Sequence, residues 1–123
     1  LGACIRVAAA AGVGGVLVIG TDTLWAPAVV RAAAGLQFSV PVAPLTDISA
    51  TTRPIIAIDP KGEDASSSVI PEAAIFAFGN ERHGLSSQIE ELAVARIRIP
   101  MKAGVSSLNI AVAVGVVLYT FMK

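Results

Sequence analysis

Short apolar runs alternate with helix-forming segments along almost the whole chain, and this alternation restricts the fold more than any other feature. Val16–Ile19 is an apolar run bounded by glycines, typical of a buried strand, and it follows an Ala-rich helical segment at 2–11. Further strands are expected at 38–40, 54–59, 73–78 and 94–99, and further helices from Pro27 to about Ala34, from Ser87, and from about Ser107 to the end. The pattern predicts an α/β fold with a mostly parallel sheet and helices on both faces.

Glycines and one capping pattern mark the ends of the expected helices. Gly12 and Gly35 follow two helical segments, where glycine favours the left-handed conformation that ends a helix. Ser87 opens a segment with capping-box spacing, and residues 60–62 read as a turn. The connection from 40 to 53 is short for a crossover between parallel strands, which normally takes about a dozen residues, so we expect an abbreviated crossover or an omitted segment.

The stretch at 103–122 has no charged residue and is long enough to cross a bilayer, and the mean hydropathy of the chain is +0.75. Ser106, Ser107 and Asn109 lie at its start, and such residues cap helices in water. The rest is small and β-branched, which is typical of a helix packed closely against neighbours. We therefore expect a buried helix, no membrane association, and a buried amide at Asn109 that needs a partner.

Charged and metal-binding side chains are sparse. Nine Lys+Arg and nine Asp+Glu give zero formal net charge, which excludes a basic arm or an acidic tail and disfavours strong RNA binding by the chain alone. A single cysteine, Cys4, and a single histidine, His83, argue against a structural zinc site, and we expect no metal. The cysteine usage favours a reducing, cytoplasmic location.

Polar residues and glycines concentrate in three places. Arg6 lies on the Ala-rich first helix, a polar loop at 78–86 follows a buried strand, and the segment 99–109 joins a strand end to a helix start. Ligands of open α/β sheets bind at the carboxyl ends of strands, where the second and third places are expected. Each also has a structural interpretation: a solvated arginine, an ordinary polar connection, and a helix cap.

Taken together and in this order, these segments resemble the SpoU/TrmH-type RNA 2′-O-ribose methyltransferases of the SPOUT class. The matching stretches are LGACIRVAAAAGVGGVLVIG, FGNERHGLS and IPMKAGVSSLNIAVAVGVVLY, and PAVVRAAAGLQFSVPVA resembles the family's Arg-Ala-x-x-Gly element. The resemblance covers nearly the whole chain. It implies a single SpoU-type domain over 1–123 with a C-terminal trefoil knot, whose loops bind S-adenosylmethionine, and a homodimer paired through the knot and last helix.

The resemblance also implies individual site residues. Cofactor contacts, largely through the backbone, fall on Gly79, Ile99, Met101 and Leu108. The residues implied in catalysis are Arg6, Glu81, Ser107 and Asn109. The RNA contacts are expected at Arg6, Arg82 and Lys102.

Two departures from the family pattern qualify these expectations. The first family motif begins with an Asn just before the position of Leu1, so we expect the first strand, and an upstream RNA-binding domain, to be absent from this sequence. Arg82 replaces a glycine of the family loop. With Arg96, Arg98 and Lys102 it could form a local basic patch.

The leading hypothesis is therefore an S-adenosylmethionine-dependent methyltransferase that modifies a ribose 2′-hydroxyl in tRNA or rRNA. The alternative is a catalytically inactive knotted dimer that binds RNA or a protein. A third hypothesis is a small nucleotide-binding domain, which the lack of a GxxxxGK phosphate loop disfavours.

Overall fold

The computed structural model describes residues 1–20, 24–45, 47–79, 84–105 and 108–121. They fall into two compact units, one formed by Leu1–Asp47 with Ala111–Lys123 and the other by Ile48–Ile110. The helices and strands, in chain order, are α1 (Gly2–Ala11), β1 (Val16–Ile19), α2 (Pro27–Ala32), β2 (Val42–Leu45), β3 (Ile55–Asp64), β4 (Ile75–Phe78), α3 (Ser87–Leu92), β5 (Ala95–Arg98) and α4 (Ile110–Phe121). Strands β1 and β2 pair in parallel, and β4, β3 and β5 form a second parallel sheet in that order. The predicted α/β class with parallel strands is confirmed.

In the first unit, α1 packs against α2 and against a short 3-10 turn at Leu36–Phe38. The buried centre consists of Ile5, Leu24, Ala33 and Val40. Gly2 allows the close approach of the two helices, because a Cβ there would lie 2.5 Å from the Cβ of Ala32.

In the second unit, the central strand β3 contributes the buried residues 55–57, and α3 packs against it. Ile58 lies opposite Phe78 on β4 and opposite Ile97 on β5. Glu63 is also opposite Ile97, so residues 59–62 leave the regular register between these two points. Gly62 permits this, because a Cβ there would lie 2.6 Å from the carbonyl carbon of Arg96.

The first half of the predicted secondary structure needs one correction. The helix at 2–11 and the strand at 16–19 are confirmed, and Gly12 ends α1 in the left-handed conformation with φ 81°. The strand predicted at 38–40 is wrong. Gly35 is left-handed there and the Ser39 hydroxyl donates to the Leu36 carbonyl at 2.7 Å, so a 3-10 turn forms and the strand starts only at Val42.

The second half needs smaller corrections. The cap of α3 is Ser86 instead of Ser87, because its Oγ accepts the Ile89 N–H at 3.3 Å. The turn predicted at 60–62 lies within the irregular part of β3. The connection between β2 and β3 holds only a short 3-10 turn at Ile48–Ala50, and the strands form two sheets instead of one.

Helix α4 has 12 residues, fewer than the uncharged stretch suggests. Its buried face contains Val114, Val117 and Leu118, which confirms that it packs against the protein. Across the described ranges, no helix combines the length and the apolar character needed to cross a membrane.

Candidate cofactor and RNA site

The carboxyl ends of β4, β3 and β5 meet at one edge of the second sheet because all three strands run in parallel. Gly79 directly follows β4, and Ile99 directly follows β5. The shared register at Ile58 places the two outer strand ends on either side of β3, roughly 10 Å apart at ordinary strand spacing. The structure therefore brings Gly79 and Ile99 to the same edge, as a ligand site of an α/β sheet requires.

Gly79 forms the neck of the polar loop after β4. A Cβ at this position would lie 2.5 Å from the carbonyl carbon of Gly84 and 2.7 Å from the backbone nitrogen of Leu85. The two ends of the loop thus touch through their backbones, and only glycine fits. Gly84 has a φ of 66°, which also favours glycine. Glu81 and Arg82, between these ends, lie outside the described residues.

The segment after β5 presents half-buried apolar side chains followed by a tight turn. Ile99 and Met101 are half-buried, whereas Lys102 is exposed. The Val105 N–H donates to the Lys102 carbonyl at 3.1 Å, and Gly104 has a φ of 90°, as a type II turn requires. The turn itself, residues 102–105, is exposed, so the Lys102 cation lies in solvent.

The two remaining predicted positions of this segment lie just before α4. Leu108 is 36% exposed, which leaves its side chain available to a ligand. Asn109 is exposed, so the expectation of a buried amide at the helix start is wrong, because α4 begins only at Ile110 and buries its face further on. Ser107 lies outside the described residues.

Two arginines of the basic patch are paired with carboxylates of β3. Arg96 forms an ion pair with Asp59 at 3.4 Å, and Arg98 forms one with Asp64 at 3.7 Å. Asp59 is the less exposed carboxylate, at 13% of its side-chain surface. The expected patch is therefore partly neutralised by ion pairs that link β5 to the irregular part of β3, while the Arg96 and Arg98 side chains remain 42% and 40% exposed.

Asp64 has further partners. The Ser66 hydroxyl donates to its Oδ1 at 2.6 Å, and the Ser66 backbone N–H donates to the same oxygen at 2.8 Å. These hydrogen bonds, with a smaller contribution from the Arg98 charge, hold the pKa of Asp64 below its ordinary value. The carboxylate therefore stays charged and keeps its ion pair.

Arg6 belongs to the first unit. Its neighbour Ile5 is fully buried, so the helix turns the Arg6 side chain outward, and it is exposed. No ion pair involves Arg6 within the ranges that the structure describes. Its guanidinium therefore faces solvent, and buried residues before and after it in the helix pack against the rest of the unit.

Sequence reasoning overlooked two features. The first is the link between the carboxylates Asp59 and Asp64 and the alternating arginines of β5, which depends on the pairing of β3 with β5 that the structure shows. The second feature is a contact between two exposed aromatic rings, Trp25 and Phe38, whose centroids are 5.6 Å apart. Their contact joins segments 13 residues apart, and no local sequence pattern predicts it.

A separate cavity of about 250 Å³ lies at the opposite, amino-terminal edge of the second sheet. Its walls include Arg53 and Pro54, just before β3, and Val94, just before β5. Because ligands of parallel sheets bind at the carboxyl ends of strands, this cavity does not compete with the candidate site.

Comparison with known proteins defines the class to which this parallel-stranded architecture belongs. The model of the SpoU rRNA methylase family matches residues 1–119. The chain belongs to this family.

Relatives of known name extend the comparison. The chain is 34% identical over 135 residues to the 23S rRNA (guanosine-2′-O-)-methyltransferase RlmB of Vibrio cholerae, covering 100% of this chain and 53% of that protein. It is similar to the AdoMet-bound rRNA methyltransferase of Sinorhizobium meliloti, with a TM-score of 0.85, 31% identity, and coverage of 97% of this chain and 49% of the other.

A third match, a structure that concerns 2′-OH methylation of C/U34 on tRNA, has a TM-score of 0.82 at 27% identity and covers 97% of this chain and 83% of that one. The chain spans about half the length of the curated relatives it matches.

Proposed function

We propose that this chain is the methyltransferase domain of an S-adenosylmethionine-dependent enzyme that methylates a ribose 2′-hydroxyl in tRNA or rRNA. The observation that carries the proposal is the family match over residues 1–119. The position of Gly79 and Ile99 at the same edge of the sheet supports it. The RlmB relative acts on 23S rRNA by name, and the C/U34 structure concerns tRNA, so both RNA classes are candidate substrates. The proposal treats residues 1–123 as one domain, knotted at its carboxyl end, with a cytoplasmic location.

The residues at the sheet edge fit the cofactor. Gly79 has no side chain and its backbone closes against Gly84, which leaves peptide groups accessible to a ligand. Ile99, Met101 and Leu108 offer half-buried or exposed apolar surface, which suits the faces of an adenine ring. When bound, the cofactor would supply a methyl group on a positively charged sulfur; as the ribose oxygen takes this methyl, the sulfur would leave as a neutral thioether and the hydroxyl proton would pass to water.

Arg6 is proposed to prepare the ribose hydroxyl. Its guanidinium is exposed and has no carboxylate partner among the described residues, so it is available to an RNA phosphate. A guanidinium retains its positive charge and is a poor proton acceptor. We therefore assign it to hold the target phosphate and ribose and to make the 2′-hydroxyl more acidic by its charge.

The remaining family positions complete the proposed site. Glu81, Ser107 and Asn109 would orient the ribose and the leaving proton, and Arg82 and Lys102 would bind phosphates. Lys102 is exposed at the turn after β5, which supports its part in this assignment.

The homodimer in this proposal uses α4. Val112, Val116 and Tyr119 are 52%, 42% and 60% exposed, and their spacing of four and three residues places them on one face of the helix. An apolar stripe of this kind is typical of a helix that packs against a partner. Val116→Lys is expected to shift the dimer to monomer in light scattering, with Val69→Lys, at a position 96% exposed and outside the helix, as the control.

Calorimetric titration with S-adenosylmethionine is the first test of the proposed function. Binding near one molecule per chain, followed by transfer of a radiolabelled methyl group to RNA that is lost when the target 2′-hydroxyl is replaced by hydrogen, is the expected result. Binding of RNA without cofactor binding or turnover would instead favour the inactive binding module.

A pH–rate profile of Arg6→Lys tests the role of the guanidinium. Lysine keeps the charge but loses the planar, bidentate geometry, and we expect a loss of turnover of about 100-fold, the cost of a 1 Å misplacement. Unchanged turnover across the profile would refute any specific guanidinium role.

A further inference from the structure

Two large aromatic rings of the first unit are exposed and touch each other. Trp25 is 50% exposed and Phe38 is 73% exposed, with ring centroids 5.6 Å apart and planes tilted by 34°. Aromatic residues make up only 5% of the chain, so two of them on the surface in mutual contact is a costly arrangement unless something covers them. We call this pair the aromatic platform.

Buried neighbours hold both rings in place. Leu24, directly before Trp25, is 4% exposed and belongs to the hydrophobic centre of the unit. Gln37, directly before Phe38, is 2% exposed, and Val40 anchors the other side of the 3-10 turn at 7%. Because these neighbouring residues are buried, they hold the backbone next to each ring in place. Trp25 and Phe38 are therefore surface residues and not part of the hydrophobic core.

The surroundings favour a nucleic acid as the occupant. Residues 1–47 contain two arginines, Arg6 and Arg31, and two acidic residues, Asp22 and Asp47. Both arginines are exposed, and neither forms an ion pair within the described ranges. The turn that carries Phe38 packs against α1, the helix of Arg6. Exposed rings beside unpaired cations are the combination that binds unstacked bases and their phosphates.

We propose that the aromatic platform stacks against a nucleobase of the RNA substrate, so that the chain binds a single-stranded or splayed-out nucleotide and not an intact duplex. This inference rests on the proposed function and specifies the form of its substrate. The exposure of Trp25 and Phe38, 50% and 73%, leaves part of each ring accessible to a base. Stacking accepts every base, so the platform contributes affinity and position without selecting a sequence.

The fluorescence of Trp25, the chain's single tryptophan, reports directly on this contact. The 123-residue chain is titrated with a short single-stranded adenylate oligonucleotide, with S-adenosylmethionine in excess, and its affinity is measured in parallel by anisotropy of a labelled oligonucleotide. Stacking is expected to quench the tryptophan signal at saturation, and a double-stranded RNA of the same length is expected to quench it far less.

Substitutions locate the contact. Phe38→Leu removes one ring at similar apolar volume and is expected to weaken RNA binding roughly fivefold to 150-fold, equivalent to ~1–3 kcal/mol. The salt dependence should stay the same, because the phosphate contacts remain. Trp25→Phe keeps a ring and should bind nearly as well as the original chain. Val69→Ala, at a position 96% exposed, is the control for a change of surface apolar area.

The outcomes separate the platform from the proposed function. RNA binding without quenching, and with equal affinity in Phe38→Leu, would overturn the platform while S-adenosylmethionine binding keeps the methyltransferase proposal. Conversion of a dimer to monomer by Phe38→Leu at unchanged RNA affinity would assign the rings to a protein contact and overturn it as well. Failure of the original chain to bind both cofactor and RNA would overturn both proposals.

Discussion

Substitution of Gly79 by alanine is the sharpest structural test of the candidate cofactor site. All three of the nearest atoms to the added Cβ belong to the backbone of Gly84 and Leu85, at 2.5, 2.7 and 2.9 Å. Ordinary contact between such atoms begins near 3.4 Å. Since no flexible side chain can move aside, the neck of the loop must open by roughly 1 Å.

Two effects of different size follow from this opening. Overpacking of this kind costs about 1–3 kcal/mol in the free energy of unfolding. A displacement of 1 Å in a positioning loop costs about 100-fold in turnover. The variant should therefore stay folded in urea denaturation, with a reduced midpoint, while its turnover and its calorimetric affinity for S-adenosylmethionine fall much further than the stability change accounts for.

Gly115→Ala is the matched control, because a Cβ there meets only the Cγ1 of Val7, on α1, at 3.5 Å, which is an ordinary contact. Alanine is the better helix former by about 0.5–1 kcal/mol, so this variant should be slightly more stable and equally active. Gly79→Ala with unaltered stability and cofactor affinity would refute the argument that the closed neck positions the loop.

Three further predictions concern stability. Neither amide atom of Gln37 has a hydrogen-bond partner in the part of the chain that the structure describes, so Gln37→Met should raise the free energy of unfolding by about 1–3 kcal/mol in urea titration; a decrease would contradict this. Ile5→Ala, at a fully buried position, should lower it by about 2–5 kcal/mol by the same measurement. The pKa of Asp64 is lowered mainly by the Ser66 hydrogen bonds, so the charged carboxylate stabilises the fold above pH 3.8, its ordinary pKa. This stabilisation is lost as the pH falls through the pKa of the folded state. Asp64→Asn should therefore lose less stability than the original chain between about pH 5 and pH 2, followed by circular dichroism.

The sequence predicted those elements whose local signals agree with one another. Helix α1 and strand β1 are bounded by glycines and have uniform composition, and both appear at the expected residues. The strand predicted at 38–40 failed because β-branched and aromatic composition was outweighed by turn chemistry. Gly35 in the left-handed conformation and the Ser39 hydroxyl bond to Leu36 determine the backbone there.

Contacts between distant segments were beyond sequence reasoning. Nothing in the spacing of Arg96 and Arg98 distinguishes a free basic patch from two ion pairs, since the partners lie on another strand more than 30 residues away. The close approach of the Gly79 backbone to Gly84 and Leu85 likewise depends on how the loop closes, which the sequence does not show. Short-range chemistry was predictable, and pairing across the fold was not.

The ion pairs also affect how many positive charges are available to bind RNA in the proposed function. With Arg96 and Arg98 engaged, the described residues with a positive role in the proposals are Arg6, Arg31 and Lys102. Three neutralised phosphates on a single strand give a slope of log affinity against log salt of only about −2. Under the proposals, the aromatic platform adds affinity that salt does not weaken, so Phe38→Leu should lower the RNA affinity while this slope stays the same.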